Sequence, residues 1–324
     1  MLERDKFEDK VRGVVFGHAI GDAIGLGTEF LSKKMVREYY PSGLQDLHQI
    51  KRDGHRIRWE QGDWTDDTDQ MLCILDSLLQ QRTLDVHNIA SRIFQWAYDG
   101  GMGIGLTVES VVFSDDFLAQ PHTASERVWL ASGKRGAANG GVMRTSILGV
   151  WECSSTDDVI RNAEAVCRIT HFDPRCVASC VVICLAIRSL LTEEHSEGNP
   201  CEKLVPYLLE IADRYDPRVK EYITKGAQPA IASLELDEPE SIGYTLKAMA
   251  SGIWALLYPS SYREGILEVI HEGGDADTNA AVAGSILGAR FGFSGIPTAW
   301  VEGLRYRREL EIRVEQLLEM LTNH

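Results

Sequence analysis

The chain has 324 residues, of which 44% are hydrophobic and 25% are charged. This length is compatible with one large domain or two smaller ones, and the hydrophobic residues are sufficient for a folded core. The net charge of −15 argues against a nucleic-acid backbone or an anionic membrane surface as the main partner. Seven cysteines without a CxxC pair indicate neither a disulfide framework nor a zinc site.

The sequence also bears on the cellular location. The N-terminal segment, MLERDKFEDK, lacks the apolar core that a signal peptide needs. The longest apolar run lies at 176–187 and is too short to span a bilayer. Within it, Cys176, Cys180 and Cys184 line one face of a helix, as is typical of buried small apolar side chains. We therefore expect a cytoplasmic protein without a membrane partner.

Apolar residues recur at helical spacing along most of the chain. The periodicity predicts helices at 7–25, 68–81, 86–100, 156–170, 173–191, 202–215, 242–257 and 276–292. Thr156 and Asp173 are the expected N-caps of two of them, and the polar stretch 192–200 is the best candidate for a loop. Because no strand–helix–strand rhythm is present, the sequence predicts one compact all-α domain over 1–324.

Two of the predicted helices carry columns of glycine at every fourth position. The positions are Gly13, Gly17, Gly21 and Gly25 in the first helix, and Gly284, Gly288 and Gly292 in the last. A glycine inside a helix costs up to about 1 kcal/mol relative to alanine. Such columns are tolerated where a second backbone approaches closely, so we expect close helix packing there.

The stretch GDWTDDTD places four carboxylates just before the helix predicted at 68–81: Asp63, Asp66, Asp67 and Asp69. Capping explains any single one of them, with Thr65 or Asp66 as N-cap and acids favoured in the first turn. Four acids exceed what one helix terminus needs. Carboxylates beside a threonine hydroxyl form a set of oxygen ligands suited to Mg²⁺, Mn²⁺ or Ca²⁺.

A second cluster, GGDADTNA, repeats this chemistry with Asp275, Asp277 and Thr278 at another predicted helix start. If the two clusters meet, they would hold two cations a few ångströms apart. The spacing does not fit a calcium-binding loop. Gln70 stands where the Asp-rich motif of isoprenoid synthases has an acid, and the chain contains no His-Asp dipeptide of the HD phosphohydrolases.

Other candidate residues are ambiguous when taken alone. Glu29, beside a glycine-rich turn, is expected to be a surface carboxylate. The glycines of 100–107 do not form a GxGxxG pattern, so a dinucleotide site is disfavoured. The segment 133–145 can expose backbone N–H groups to a phosphate or form a plain loop. His171 is either a structural hydrogen-bonding residue or a ligand contact.

Taken together, these motifs resemble those of a known family. GDAIG with the following glutamate, WTDDTDQML, NGGVMR, TH before a proline, and GGDADTNAAVAG occur in the order seen in ADP-ribosylglycohydrolases, over roughly residues 10–293. The resemblance implies an all-α, single-domain, orthogonal helical bundle with a binuclear Mg²⁺ or Mn²⁺ centre in a cleft. It also implies an ADP-ribosylated protein or a small ADP-ribosyl compound as substrate.

The resemblance assigns roles to individual residues. The implied metal ligands are Thr65, Asp66, Asp67, Asp275, Asp277 and Thr278. The implied catalytic residues are Asp66, Asp67 and Glu29. The implied substrate-binding residues are Gly103, Gly105, Asn139, Gly140, Gly141, Met143 and His171.

The expected activity is hydrolysis of the glycosidic bond between ADP-ribose and an acceptor. Bound cations would hold the ribose hydroxyls and lower the pKa of a water molecule. Asp66 or Asp67 would orient or deprotonate that water for attack at the anomeric carbon. A protein arginine is slightly favoured over serine as the acceptor. A catalytically silent ADP-ribose-binding or structural protein and a small-molecule ADP-ribosyl hydrolase are the alternatives.

Overall fold

The computed structural model of the chain describes residues 4–194 and 200–322. Fifteen α-helices and several short 3-10 turns make up the regular structure of these residues, which contain no β-strand. The helices are α1 (Arg4–Gly25), α2 (Lys33–Tyr39), α3 (Asp66–Gln81), α4 (Val86–Tyr98), α5 (Leu106–Val112), α6 (Pro121–Ala131), α7 (Thr156–Cys167), α8 (Pro174–Thr192), α9 (Pro200–Ala212), α10 (Pro217–Gly226), α11 (Thr245–Leu257), α12 (Tyr262–His271), α13 (Ala276–Phe291), α14 (Thr298–Gly303) and α15 (Arg307–Thr322). They form one compact all-α domain, as predicted.

Each of the eight predicted helical segments corresponds to one observed helix, and the other seven helices have no counterpart in the prediction. Asp173 is confirmed as the N-cap of α8, since its carboxylate accepts a hydrogen bond from the backbone N–H of Arg175. The N-cap predicted at Thr156 is wrong by one residue. Ser155 fills that position, and its hydroxyl accepts from the N–H of Asp158.

The loop predicted at 192–200 lies mostly outside the described residues; α8 ends at Thr192 and α9 begins at Pro200. α8 itself is longer than the apolar run at 176–187. By length and composition it could cross a membrane, contrary to the sequence argument, but 89% of its apolar window is buried inside the protein. It is a core helix, and its three regularly spaced cysteines are all fully buried.

The two glycine-bearing helices, α1 and α13, pack backbone against backbone. A Cβ atom on Gly21 would lie 2.0 Å from the carbonyl oxygen of Ala280, and one on Gly288 would lie 1.8 Å from that of Gly13. Real Cβ contacts are never this short, so the glycines are required by the packing. The close packing predicted from the glycine columns is therefore present.

The two helices run antiparallel, because the start of α1 contacts the end of α13 and Gly25 contacts Ala276 at the start of α13. This orientation brings the turn that follows α1 next to the N-terminus of α13. Glu29, in the turn after α1, therefore lies beside Asp275 and Asp277 at the start of α13, although these residues are far apart in sequence.

Candidate active site

The N-terminus of α3 is capped by a residue from another helix. Thr65 occupies the N-cap position, but its side chain makes no capping hydrogen bond to its own helix. Instead, Asp22 of α1 accepts from the N–H and the hydroxyl of Thr65 at 2.9 and 2.8 Å. It also accepts from the N–H and the hydroxyl of Thr68 at 3.0 and 2.5 Å. Because Asp22 satisfies these donors, the acids of α3 are not needed as caps.

The four carboxylates around the start of α3 divide into two pairs. Asp63 accepts from the N–H of Glu60 and forms an ion pair with Arg305. Asp69 accepts from the indole N–H groups of Trp64 and Trp96 at 2.8 and 3.0 Å. It therefore does not cap the helix, contrary to one expectation from the sequence.

The other pair, Asp66 and Asp67, is buried and lacks such partners. Asp66 accepts one hydrogen bond from the side-chain amide of Gln70 at 3.2 Å. Asp67 has one carboxylate oxygen, Oδ1, with no hydrogen-bond partner. A buried carboxylate oxygen without a partner is costly, and a bound cation would satisfy it.

The second acidic cluster begins at a tight glycine turn. Gly273 and Gly274 both have positive φ, and a Cβ atom on Gly274 would lie 2.0 Å from the carbonyl oxygen of Leu236. The Gly274 carbonyl accepts from the N–H of Phe30 at 2.7 Å, and its N–H donates to the carbonyl of Leu31 at 2.8 Å. These bonds fix the acidic start of α13 to the turn after α1.

Asp275 lies at the N-cap position of α13 without capping it. Its Oδ2 accepts from the side-chain amide of Asn139 at 2.7 Å. Ligand atoms of Glu29, Asp275 and Asp277 all lie within 4.8 Å of one another, a grouping that can hold a metal ion. The sequence-predicted residues at the end of α1 and the start of α13 are thus brought together.

Glu29 is buried, with 7% of its surface exposed, so the expectation of a surface carboxylate is wrong. Its carboxylate contacts His55 Nε2 at 2.6 Å. Arg58 donates to Nδ1 of His55 at 2.9 Å, which leaves the Nε2–H of His55 as the donor to Glu29. The rings of Phe30 and Trp59 pack on the His55 ring.

The hydroxyl of Thr65 connects the two acidic clusters, and Thr278 lies within the second one. The hydroxyl of Thr65 lies 3.3 Å from Oδ2 of Asp67 and 3.4 Å from Oδ2 of Asp277. The backbone N–H of Thr278 donates to Oδ1 of Asp277 at 2.9 Å. All six predicted metal ligands therefore lie at the adjoining N-termini of α3 and α13, and they offer only oxygen atoms.

The clustered acids repel one another electrostatically. Burial raises the pKa of Asp66 and of Asp277 well above the ordinary carboxyl value, and the neighbouring carboxylates raise both further. Burial also raises the pKa of Asp22 to about 7 and that of Asp275 to about 6. A divalent cation would allow these groups to ionise together. The residues present therefore fit a hard metal ion.

An open cleft of about 500 Å³ leads to this centre. Its lining includes Glu29, Phe30, His55, Arg58, Trp59, Thr65, Asp66, Asp277 and the loop 100–106. Gly103 has a φ of 96°, and a Cβ atom there would lie 2.5 Å from Oδ1 of Asp66. Nothing lies within 4 Å of a Cβ atom added to Gly105. Of the two predicted glycines, only Gly103 therefore occupies a position that requires glycine.

The second predicted loop reaches the acids through Asn139, whose amide bonds to Asp275. A Cβ atom on Gly140 would lie 2.8 Å from the His171 ring, and one on Gly141 would lie 2.9 Å from the sulfur of Cys167. Gly141, Met143 and His171 are buried and are not among the residues that line the cleft. The structure thus joins this loop to His171 and, through Asn139, to Asp275.

Comparisons with known proteins agree with this arrangement. The ADP-ribosylglycohydrolase family model matches residues 3–324. The chain belongs to the ADP-ribosylglycohydrolase family. It is 26% identical over 324 residues to the ADP-ribosylarginine hydrolase Tri1 of Serratia proteamaculans, covering 96% of this chain and 80% of that one. It is 25% identical over 317 residues to the ADP-ribosyl-[dinitrogen reductase] glycohydrolase of Rhodospirillum rubrum, covering 96% of both chains.

A solved structure extends the likeness to the fold. A chain of an ADP-ribosylglycohydrolase-related protein complex superposes with a TM-score of 0.73 at 27% identity, covering 98% of this chain and 99% of that one. The predicted family, the all-α fold and the enzyme class of ADP-ribosylglycohydrolase are confirmed. The family is in general metal-dependent, and the acidic cluster of this ADP-ribosylglycohydrolase can hold a metal ion.

Sequence reasoning missed several residues at this ADP-ribosylglycohydrolase site. Asp22 lies within the GDAIG motif, directly after Gly21 of the glycine column in the first helix. This position was the available signal. His55, Arg58 and Trp59 occur in a segment without a recognisable pattern, and nothing in the sequence pairs His55 with Glu29.

Proposed function

We propose that the protein hydrolyses the glycosidic bond between ADP-ribose and an acceptor, with a protein arginine side chain favoured over serine. The observation that carries the proposal is the meeting of two acidic helix starts at an open cleft. One relative, named an ADP-ribosylarginine hydrolase, supports arginine as the acceptor, and a second, named an ADP-ribosyl-[dinitrogen reductase] glycohydrolase, supports a protein acceptor.

We further propose that the site binds two divalent cations, Mg²⁺ or Mn²⁺. The first side of the centre would be Thr65, Asp66 and Asp67, and the second Asp275, Asp277 and Thr278. The oxygen-only donor set and the unpartnered oxygen of Asp67 support this assignment. When bound, such cations neutralise the carboxylates and lower the pKa of a water molecule.

Within this proposal the residues of the chain have distinct tasks. Asp66 or Asp67 orients a water molecule and accepts its proton as general base. The water oxygen bonds to the anomeric carbon as the bond from that carbon to the acceptor breaks, and the acceptor leaves with the proton. Glu29, held by His55, positions the substrate at the cleft. The substrate-binding residues are those of two glycine-rich loops and one buried histidine: Gly103, Gly105, Asn139, Gly140, Gly141, Met143 and His171.

We also propose a cytoplasmic location. The six cysteines in the described part of the chain are free thiols, which suits a reducing compartment. Measuring where the tagged protein accumulates after cell fractionation tests this assignment.

The function is tested by incubating the protein and Mg²⁺ or Mn²⁺ with arginine- and serine-ADP-ribosylated peptides. Release of ADP-ribose is expected, faster from arginine. Asp66→Ala and Asp277→Ala should abolish release and cation-dependent ADP-ribose binding in calorimetry. Asp157→Ala is the matched control. Asp157 is an exposed acid at the second position of α7, and Asp277 occupies the second position of α13.

Three outcomes would contradict parts of the proposal. ADP-ribose binding without release from any acceptor would indicate a catalytically silent binding protein. Release only from small ADP-ribosyl compounds would indicate a small-molecule hydrolase. Unchanged binding in Asp66→Ala and Asp277→Ala would overturn the assignment of the site.

A further inference from the structure

Arg144 is a fully buried arginine at the end of the NGGVMR segment, and Gln70 links it to Asp66 of the acidic centre. Its guanidinium donates to two neutral oxygens: Oε1 of Gln70 at 2.7 Å and Oγ1 of Thr170 at 2.6 Å. Its Nε has no partner. Burying a guanidinium with neutral partners is costly, which raises the question of what Arg144 does there.

The first of these bonds fixes the orientation of a side-chain amide. A guanidinium only donates, so Gln70 must turn its oxygen toward Arg144. The NH₂ group of Gln70 then points to Oδ2 of Asp66, at 3.2 Å. In the flipped orientation, the amide oxygen of Gln70 would face the carboxylate of Asp66, and the two oxygens would repel each other. Arg144 thus makes Gln70 a donor to a carboxylate of the cleft.

The second bond fixes the position of a proton. The hydroxyl oxygen of Thr170 accepts from Arg144, and the one acceptor that its hydrogen reaches among the described residues is Nδ1 of His171 at 2.8 Å. Donation by this hydroxyl makes Nδ1 the unprotonated nitrogen of the imidazole. Burial lowers the pKa of His171 to about 3, so the ring is neutral and carries its one proton on Nε2.

The resulting Nε2–H group of His171 is buried and has no hydrogen-bond partner. A buried donor without a partner is costly, so its presence calls for an explanation. The donor lies against Gly140, where a Cβ atom would be 3.1 Å from Nε2. The neighbouring Asn139 bonds to Asp275, which links this loop to the acidic centre.

We propose that Arg144 is a positioning residue that prepares two parts of the site at once. Through Gln70 it orients Asp66 toward the cation side, and through Thr170 it holds His171 as an Nε2–H donor. The acceptor of that donor is an oxygen atom of the ADP-ribosyl ligand, so this part of the inference rests on the proposed function. Arg144 itself touches neither the ligand nor a cation.

The proton position is tested first, without any ligand, by long-range ¹H–¹⁵N NMR of the histidine side chains. The wild-type protein should show His171 as the single Nε2–H tautomer. Thr170→Val removes the hydroxyl with little change of shape, and Arg144→Met frees it to rotate. Both variants should show a fraction of the Nδ1–H tautomer. An unchanged tautomer in both variants would overturn the proposal.

The two branches are then separated by calorimetry. Thr170→Val should weaken ADP-ribose binding about tenfold, the worth of one good hydrogen bond, and leave cation affinity unchanged. Gln70→Met should weaken Mg²⁺ or Mn²⁺ binding about tenfold or more, because Asp66, a proposed cation ligand, loses the partner that orients it. Arg144→Met should weaken both ADP-ribose binding and cation binding. Ser77→Ala removes another buried hydroxyl and should change neither affinity.

The outcomes distinguish this inference from the proposed function. If Thr170→Val and Gln70→Met lower both affinities in the same proportion, Arg144 has only a general structural role and the inference is wrong. If the wild-type protein does not bind ADP-ribose, the proposed function fails, while the tautomer and cation measurements still decide the role of Arg144. If Arg144→Met does not fold, the two single-branch variants carry the test alone.

Discussion

Asp22 and Thr65 are 43 positions apart in the chain, and the carboxylate of Asp22 accepts hydrogen bonds from both the backbone N–H and the hydroxyl of Thr65. A capping role that is usually local is here supplied by a different helix. The consequence is functional, because Asp66 at the start of α3 is left to line the cleft.

Replacing Asp22 tests this tertiary cap. Asp22→Ala leaves the buried N–H groups of Thr65 and Thr68 and the hydroxyl of Thr68 without their acceptor. We expect the free energy of unfolding to fall by at least about 2 kcal/mol, since each unsatisfied buried donor costs about 1–3 kcal/mol. Urea unfolding followed by circular dichroism measures the change.

The matched control for this prediction is Asp85→Ala. Asp85 caps α4 locally through the N–H of Asn88, so its loss should cost about 1 kcal/mol. An equal or smaller cost for Asp22→Ala would contradict the prediction.

The stabilising effect of cations should increase with pH. The folded-state pKa values of Asp22 and Asp275, about 7 and about 6, lie above the ordinary carboxyl value. Between pH values of about 4 and 7 the folded protein holds protons that the unfolded chain has released, so the cation-free protein loses stability as the pH rises. Mg²⁺ or Mn²⁺ should therefore raise the melting temperature more at pH 8 than at pH 5.

The quantity to measure at each pH is the difference between the melting temperatures with and without the cation. His18 and His171, with pKa values lowered by burial to about 4 and about 3, act in the opposite direction. Their contribution is lost as the pH falls below the unfolded value of about 6.5, with or without cation. An equal shift at both pH values would show that the cation does not replace protons on the acidic cluster.

The loop over the cleft should tolerate a side chain at only one of its two predicted glycines. Gly103→Ala forces a Cβ atom to within 2.5 Å of Oδ1 of Asp66, at a backbone φ of 96°. We expect cation affinity and ADP-ribose release to fall about tenfold or more, since a ligand carboxylate is displaced. Titration calorimetry and a release assay measure these effects.

Gly105→Ala is the control, because nothing lies within 4 Å of its added Cβ atom. Its cation affinity should match that of the wild-type protein. If the two variants behave alike, the close contact between Gly103 and Asp66 does not matter for the site.

The contact between α1 and α13 should be intolerant of a single added methyl group. Gly288→Ala would place its Cβ atom 1.8 Å from the carbonyl oxygen of Gly13. Because backbone atoms cannot move aside cheaply, we expect a loss of about 1–3 kcal/mol or more in the free energy of unfolding. Cation affinity should also fall, since this packing places Asp277 near Glu29.

Gly54→Ala serves as the control here, because no atom lies within 4 Å of the added Cβ atom of this exposed glycine. Thermal unfolding should distinguish the two variants clearly. A Gly288→Ala protein as stable as the Gly54→Ala protein would contradict the observed helix packing.

The sequence alone determined part of the helical structure and the chemistry of the acidic centre. Apolar periodicity located eight of the fifteen helices in the described residues, because burying one face of a helix leaves a repeating pattern. The glycine columns indicated close backbone packing, since only that contact repays their cost within a helix. The crowding of Asp66 and Asp67 indicated a cation, because like charges resist ionising together.

Only the tertiary structure decided which of these groups meet and what each one does. Asp22 as the cap of α3, His55 as the partner of Glu29, and Asp63 and Asp69 as structural acids depend on contacts between residues distant in sequence. Such contacts leave no periodic trace in the chain. The antiparallel packing of α1 on α13 brings the two acidic motifs together, because backbone contact along the glycines fixes both the distance and the direction of the helices.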